Sequence, residues 1–246
     1  LSTQPGNDLF TPTDGGEAAA AQETHWIPLS DLMTGLMVIF LLIAVMYMMK
    51  VDADAERIRT VAIAYSDIRD ALFEDLHTEF QQDLGPWKAE ILKSDLTIRF
   101  NEPEILFATG SSELKPEFKA ILADFFPRYV RILTSPKYRD AISEIRIEGH
   151  TSSDWSGQSS PEDAYFRNME LSQARTRTTL SYVLELPAVA ADRSWLIRYL
   201  TANGLSSSRP ILNDDRSEDV LRSRRVEFRV RTDAEVRLAK ILELSR

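Results

Sequence analysis

The sequence predicts an α+β chain made of a single membrane-crossing helix, a helical neck, and a domain in which strands alternate with helices. Three observations predict it. No residue from Leu32 to Met49 is charged, and only Thr34, Gly35 and Tyr47 interrupt the aliphatic series. Apolar residues then recur three and four apart from Ile58 to Leu72, and at four-residue steps to Leu84. Beyond Gly85-Pro86 the apolar period switches repeatedly between two and 3.6, as it does where strands and helices share one core.

Composition narrows the function classes. The 246 residues suffice for one or two domains, and a net charge of -9 speaks against a nucleic-acid partner. The absence of cysteine excludes disulfide scaffolds and thiolate metal sites, and His25, His77 and His150 are too scattered to form a histidine-rich metal centre. No cofactor or metal is expected. No Ser-His-Asp spacing is present, so no enzyme is predicted, and His150 is expected to shape its loop.

Residues 1–25 are rich in Gly, Pro, Ala and small polar residues without an apolar face, which predicts a disordered tail. Residues 26–50 hold the membrane helix. Eighteen residues at ~1.5 Å rise span ~27 Å, close to the hydrocarbon thickness of a bilayer. The acidic leader and the "MYMMKVDAD" flank do not suit a cleaved signal peptide. A buried core helix seldom runs so far without a polar face. Residues 51–93 form the neck and linker. Ile58, Val61, Tyr65, Ile68, Leu72, Leu76, Phe80 and Leu84 mark an amphipathic helix ending at Gly85-Pro86, either paired between two copies or packed on its own domain.

Residues 94–232 form the domain. "DLTIRF" alternates as a half-buried strand. "ILFATGSSELKP" reads as a short strand, a turn, and a helix entered near Lys115-Pro116. "SEIRIEGH" (Ser143 to His150) is a second alternating strand. A polar loop with Gly157 and Pro161 leads to a helix from about Ala164 to Leu186. A further helix is expected near Trp195 to Ala202, stopping at Asn203-Gly204, before the alternating "RRVEFRV". Residues 233–246 predict a short C-terminal amphipathic helix.

Asp31 carries two readings. Ser30 and Asp31 can cap the start of the membrane helix. Trp26, Ile27, Pro28 and Leu29 precede them, however, so the boundary can lie nearer Trp26 and leave Asp31 more than a turn inside. An intramembrane carboxylate is a functional-site hypothesis by default, because it can alternate between a neutral and an ionised state as an ion carrier must. Thr34, three residues on, shares its face.

Four stretches stand in a fixed order: "FATGSSELKP", "IRIEGHT", "NMELSQART" and "RSRRVEFRV". Over about Leu96 to Arg231 this order resembles the OmpA-like peptidoglycan-binding domain. The resemblance implies a βαβαβ sheet covered on one side by helices, with a groove for the stem peptide of the cell wall. It places Arg175 beside the carboxylate of the diaminopimelate residue, which an arginine fork suits. Asn168 and Leu171 lie seven and four residues earlier, on the same helix face. Thr151 belongs to the "GHT" of the groove, and Arg225 to its supporting strand. The family places an aspartate directly after "GHT" to meet the ligand's amino group; this chain has Ser152, with Asp154 two residues on to take its place.

An anchor, a neck and such a domain resemble the B subunits of MotB-type ion-driven stators, in which an aspartate near the start of the membrane helix carries the ion. "PLSDLMTGLMVIF" supplies Asp31 there. The "SDLMTGL" entry and acidic tail look more like the stator-like B subunits of Zorya anti-phage defence systems than like flagellar ones. The alternatives are a flagellar MotB-type subunit and a passive membrane-tethered wall anchor. The resemblance implies a homodimer encircled by MotA-like A subunits, five in the family, with H+ or Na+ as the translocated ion and lipid and peptidoglycan as further partners. It also implies a single-pass inner-membrane protein with a cytoplasmic N-terminus and a periplasmic C-terminal domain. The charge bias, with four acids before the helix and Lys50, Arg57 and Arg59 after it, points the other way. We follow the resemblance, because a wall-binding domain must face the wall.

Overall fold

The computed structural model describes residues 26–101, 103–155 and 160–233. The tail expected over 1–25, and the terminal helix expected over 233–246 beyond Asp233, lie outside the described residues. The chain divides into two units, Leu1–Arg59 and Thr60–Arg246, and helix α1 (Trp26–Phe80) contributes to each.

In the first unit, Leu29–Glu56 is long and apolar enough to cross a membrane, and none of it is buried. Large apolar side chains are exposed from Leu29 to Val51, which excludes a role as the core helix of this chain. The helix is already formed at Trp26, with Pro28 tolerated in its first turn. Ser30 and Asp31 therefore lie in the second turn. The Thr34 hydroxyl donates to the Ser30 carbonyl at 2.8 Å.

The second unit is built on a five-stranded sheet in the order β1-β2-β5-β3-β4. The strands are β1 (Ala89–Leu92), β2 (Thr97–Phe100), β3 (Ile142–His150), β4 (Leu200–Gly204) and β5 (Arg225–Thr232). All neighbours are antiparallel except β3 and β4. The helices are α2 (Pro103–Leu106), α3 (Pro116–Leu133), α4 (Pro161–Glu185), a 3-10 turn (Pro187–Asp192), α5 (Arg193–Tyr199) and α6 (Val220–Ser223). The expected βαβαβ order is present as β2-α3-β3-α4-β4, extended by β1 and β5.

Local chemistry accounts for the long elements. Pro116 pre-sets the first turn of α3, whose Phe118, Leu122, Phe125, Phe126 and Tyr129 are buried at helical spacing. The Ser160 side chain caps α4, accepting from the Asp163 amide at 3.1 Å. In β3, Ile145 and Ile147 enter the core while Arg146 and Glu148 take the opposite face. The core centres on Phe100, Phe125 and Phe228, with ring centroids 5.1 to 5.9 Å apart.

Four expectations are corrected. The neck packs on its own domain from Ile68 onward: Leu72, Leu76 and Phe80 are fully buried in the core, so the domain begins upstream of residue 94. Arg128 locks this helix end through Glu79 at 2.8 Å and Asp83 at 2.9 Å. The helix stops at Phe80, and turns carry the chain to an unexpected edge strand, β1. The short strand expected in "ILFATGSS" is a helical turn, α2, followed by an isolated Phe107–Leu114 bridge. The helix expected through Ala202 ends at Tyr199, because Leu200–Gly204 pairs with β3 and that tertiary pairing overrides local helical pattern.

Candidate functional site

The site begins with two glycines. A Cβ at Gly149 would lie 2.6 Å from the Thr176 side chain, and one at Gly204 would lie 2.3 Å from the Gln173 amide nitrogen. Only glycine lets β3 and β4 approach α4 this closely. The loop leaving β3, Thr151 to Trp155, is thereby brought beside one face of α4. Between them opens a cavity of about 410 Å³.

Thr151, Asp154, Asn168, Leu171 and Arg175 all line this cavity. Arg175 is half-buried. Its Nε donates to the Ser111 carbonyl at 2.9 Å and its Nη2 to the Ala108 carbonyl at 3.4 Å, while its guanidinium lies 4.8 Å from the Phe107 ring centroid. Burial and the nearby Arg224 push its pKa down to about 10, so it remains cationic at neutral pH. Asn168 is buried and positions the loop, its Nδ2 donating to the carbonyls of Ser152 (3.1 Å) and Asp154 (3.3 Å). The Thr151 hydroxyl oxygen is buried without a hydrogen-bond partner in the described residues. Asp154 is exposed at the rim.

Arg225 is not on the cavity wall. It is buried behind it, with Nε 2.6 Å from Glu227 and Nη1 donating to the carbonyls of Arg209 and Ser223. Arg99 reaches the same Glu227 oxygen at 2.7 Å. His150 lies alongside, its Nε2 3.5 Å from Glu227 and 3.8 Å from Glu148. Burial pushes the His150 imidazole below its ordinary range; contact with Glu227 opposes this and the Arg225 charge reinforces it. Burial also opposes ionisation of Glu227, yet its charged neighbours hold it well below the usual carboxylate range. Contact with His150 contributes most to that lowering, followed by Arg225.

By spacing, Glu148, His150 and Glu227 could hold a metal ion, their ligand atoms lying within 4.8 Å of one another. Both carboxylates already face arginines, Arg146 and Arg209 approaching Glu148 at 3.9 and 3.8 Å. Four guanidiniums oppose a dication there, and the group is best described as a buried ion network.

No protein-family model matches the sequence. Over 219 residues, however, the chain is 48% identical to Zorya protein ZorB of Escherichia coli, an alignment covering 89% of this chain and 92% of that one. The chain belongs to the ZorB family. Solved structures similar to this ZorB-family chain include a MotB-like protein from Desulfovibrio vulgaris (25% identity, TM-score 0.47, 70% of this chain and 94% of that one). They also include the cell wall anchor of the T6SS from Pseudomonas aeruginosa (21% identity, TM-score 0.43, 64% and 96%) and the periplasmic domain of Helicobacter pylori MotB (14% identity, TM-score 0.41, 64% and 90%).

Sequence reasoning missed Arg224, Phe107 and Trp155 on the cavity wall of this ZorB-family domain. Arg224 carried a readable signal. Adjacent residues entering a strand face opposite sides, so in "RSRRVEFRV" the two arginines could not share one role. Phe107 and Trp155 sit in irregular segments, where no period announces a facing direction.

Proposed function

We propose that this chain is the stator-like B subunit of an ion-driven inner-membrane motor acting in anti-phage defence, and not an enzyme. Two copies form a homodimer whose membrane helices are surrounded by MotA-like A subunits, five by family analogy. Asp31 carries the translocated H+ or Na+, assisted by Thr34, and the periplasmic domain holds the dimer to the peptidoglycan stem peptide through Arg175 and its neighbours. The N-terminus is cytoplasmic.

Within a ZorB-family chain, one observation carries this reading over that of a passive tether: helix α1 is already formed at Trp26. A capping side chain works on the first free amides, and the dipole effect fades within the first turn. Asp31 in the second turn is beyond both, and it is the one acid between Trp26 and Val51. With its cost in lipid and no capping duty, a carrier role explains why it is there. An exposed apolar helix cannot shield the carboxylate alone, which supports a surrounding partner.

The anchoring half is tested by co-sedimentation with purified sacculi. Arg175→Ala should leave the protein folded and membrane-inserted but weaken sedimentation strongly, since losing one partner of a desolvated charge pair costs on the order of 2–5 kcal/mol. Unchanged sedimentation overturns the wall-binding assignment of this pocket.

A further inference from the structure

Resting on the wall-peptide reading, we infer that Arg224 is a second anion-binding residue of the 410 Å³ cavity, and that the cavity selects a ligand end bearing two carboxylates.

The half-buried arginines of this domain are otherwise compensated. Arg99 and Arg225 share Glu227, Arg128 meets Glu79 and Asp83, Arg146 meets Glu144, and Arg229 faces Asp95. Apart from Arg69, which lies off the cavity wall and donates to the Ser94 carbonyl, the exceptions are Arg175 and Arg224. Both line the same cavity, and among the described residues their partners are neutral: two carbonyls for Arg175, the Ser152 hydroxyl for Arg224. The one acid on the wall, Asp154, is exposed and pairs with neither in the described structure. Two partly desolvated cations of one sign repel each other, and Arg224 indeed disfavours the charged form of Arg175. An anion relieves that repulsion. A single carboxylate leaves one guanidinium uncompensated, whereas two neutralise both.

Ser152 sets the orientation. It is buried, and its Oγ accepts from Arg224 Nε at 2.9 Å. With Nε so engaged, the terminal nitrogens of Arg224 have no acceptor among the described residues. Thr151 adds, on the same wall, a hydroxyl without a partner among the described residues. Ser152 offers a ligand ammonium no charge, so the amino group of such a ligand lies toward the rim, where Asp154 is exposed, and its carboxylates face the two guanidiniums. The fit is to an end bearing two carboxylates, such as a terminal diaminopimelate residue with both free.

Calorimetric titration of the full-length protein in nanodiscs tests this with two synthetic stem tripeptides ending in diaminopimelate, one with both terminal carboxylates free and one with a single carboxylate amidated. Wild type should prefer the diacid by about tenfold or more, the scale of one charge-assisted hydrogen bond. Arg224→Gln should reduce that preference to near unity by weakening the diacid alone. Arg224→Lys, which keeps charge but loses the fork, should fall between. Ser152→Asp, which neutralises Arg224, should also abolish the preference. Equal affinity of wild type for both peptides, or an undiminished preference in a folded Arg224→Gln variant, overturns the proposal while leaving wall binding intact. Failure of wild type to bind either peptide overturns the wall-peptide reading and this proposal with it.

Discussion

At the scale of single residues, the domain separates its charges by purpose. Glu227 is met by Arg99 and Arg225, and Glu148 by Arg146 and Arg209, on the sheet face away from the helices, while Arg175 and Arg224 have no carboxylate partner in the cavity among the described residues. His150 sits inside the compensated group, and its depressed pKa makes stability depend on pH. The folded state resists protonating His150, whereas the unfolded chain takes up that proton near pH ~6.5. The unfolded state then binds more protons, so stability falls as pH drops below ~6.5, until the folded-state pKa is reached. Denaturant titrations between pH 8 and 5 should show this loss in wild type and a shallower one in His150→Gln; equal slopes would contradict it. The pocket residues Asn168, Leu171 and Arg175 came from the resemblance carried by "NMELSQART", and seven-residue spacing on one helix added only that they share a face. Arg225 stands behind the wall, in the supporting strand its motif implied, but the motif did not reveal that its neighbour Arg224 takes the cavity side.

At the scale of elements, the end of α1 belongs to the domain. Phe80 stacks near Phe125 at 5.2 Å and Trp87 at 5.9 Å, and Arg128 lies 4.9 Å from its ring centroid. Phe80→Ala should destabilise the domain by about 3–5 kcal/mol, as truncation of a fully buried aromatic does. A loss below about 1 kcal/mol in equilibrium unfolding would mean that this face pairs between copies instead. The apolar stripe from Ile68 to Phe80 was plain in the sequence, but a stripe states only that a face is buried, not what buries it. Strand β4 was read as the tail of a helix for a related reason. "LTANG" has weak preferences of its own, and its pairing with Ile145 to Gly149 comes from residues more than fifty positions away. By contrast β3 and β5, whose alternation is long and regular, were legible directly.

At the scale of the whole molecule, the proposed motor joins a carboxylate in an apolar helix to a domain that holds the wall. The central claim is that Asp31 cycles between charge states as it carries the ion. The most direct measurement is ion flux into vesicles containing the chain co-assembled with its A subunit, for wild type, Asp31→Asn and Asp31→Glu, with co-purification confirming equal assembly. Asparagine matches aspartic acid in size and caps a helix about as well, but it can neither release a proton nor neutralise a bound cation. Glutamate keeps the carboxylate and moves it by one methylene. The prediction is no flux with Asp31→Asn and reduced but measurable flux with Asp31→Glu. Full flux through a normally assembled Asp31→Asn complex would contradict the carrier role and leave the chain a passive tether.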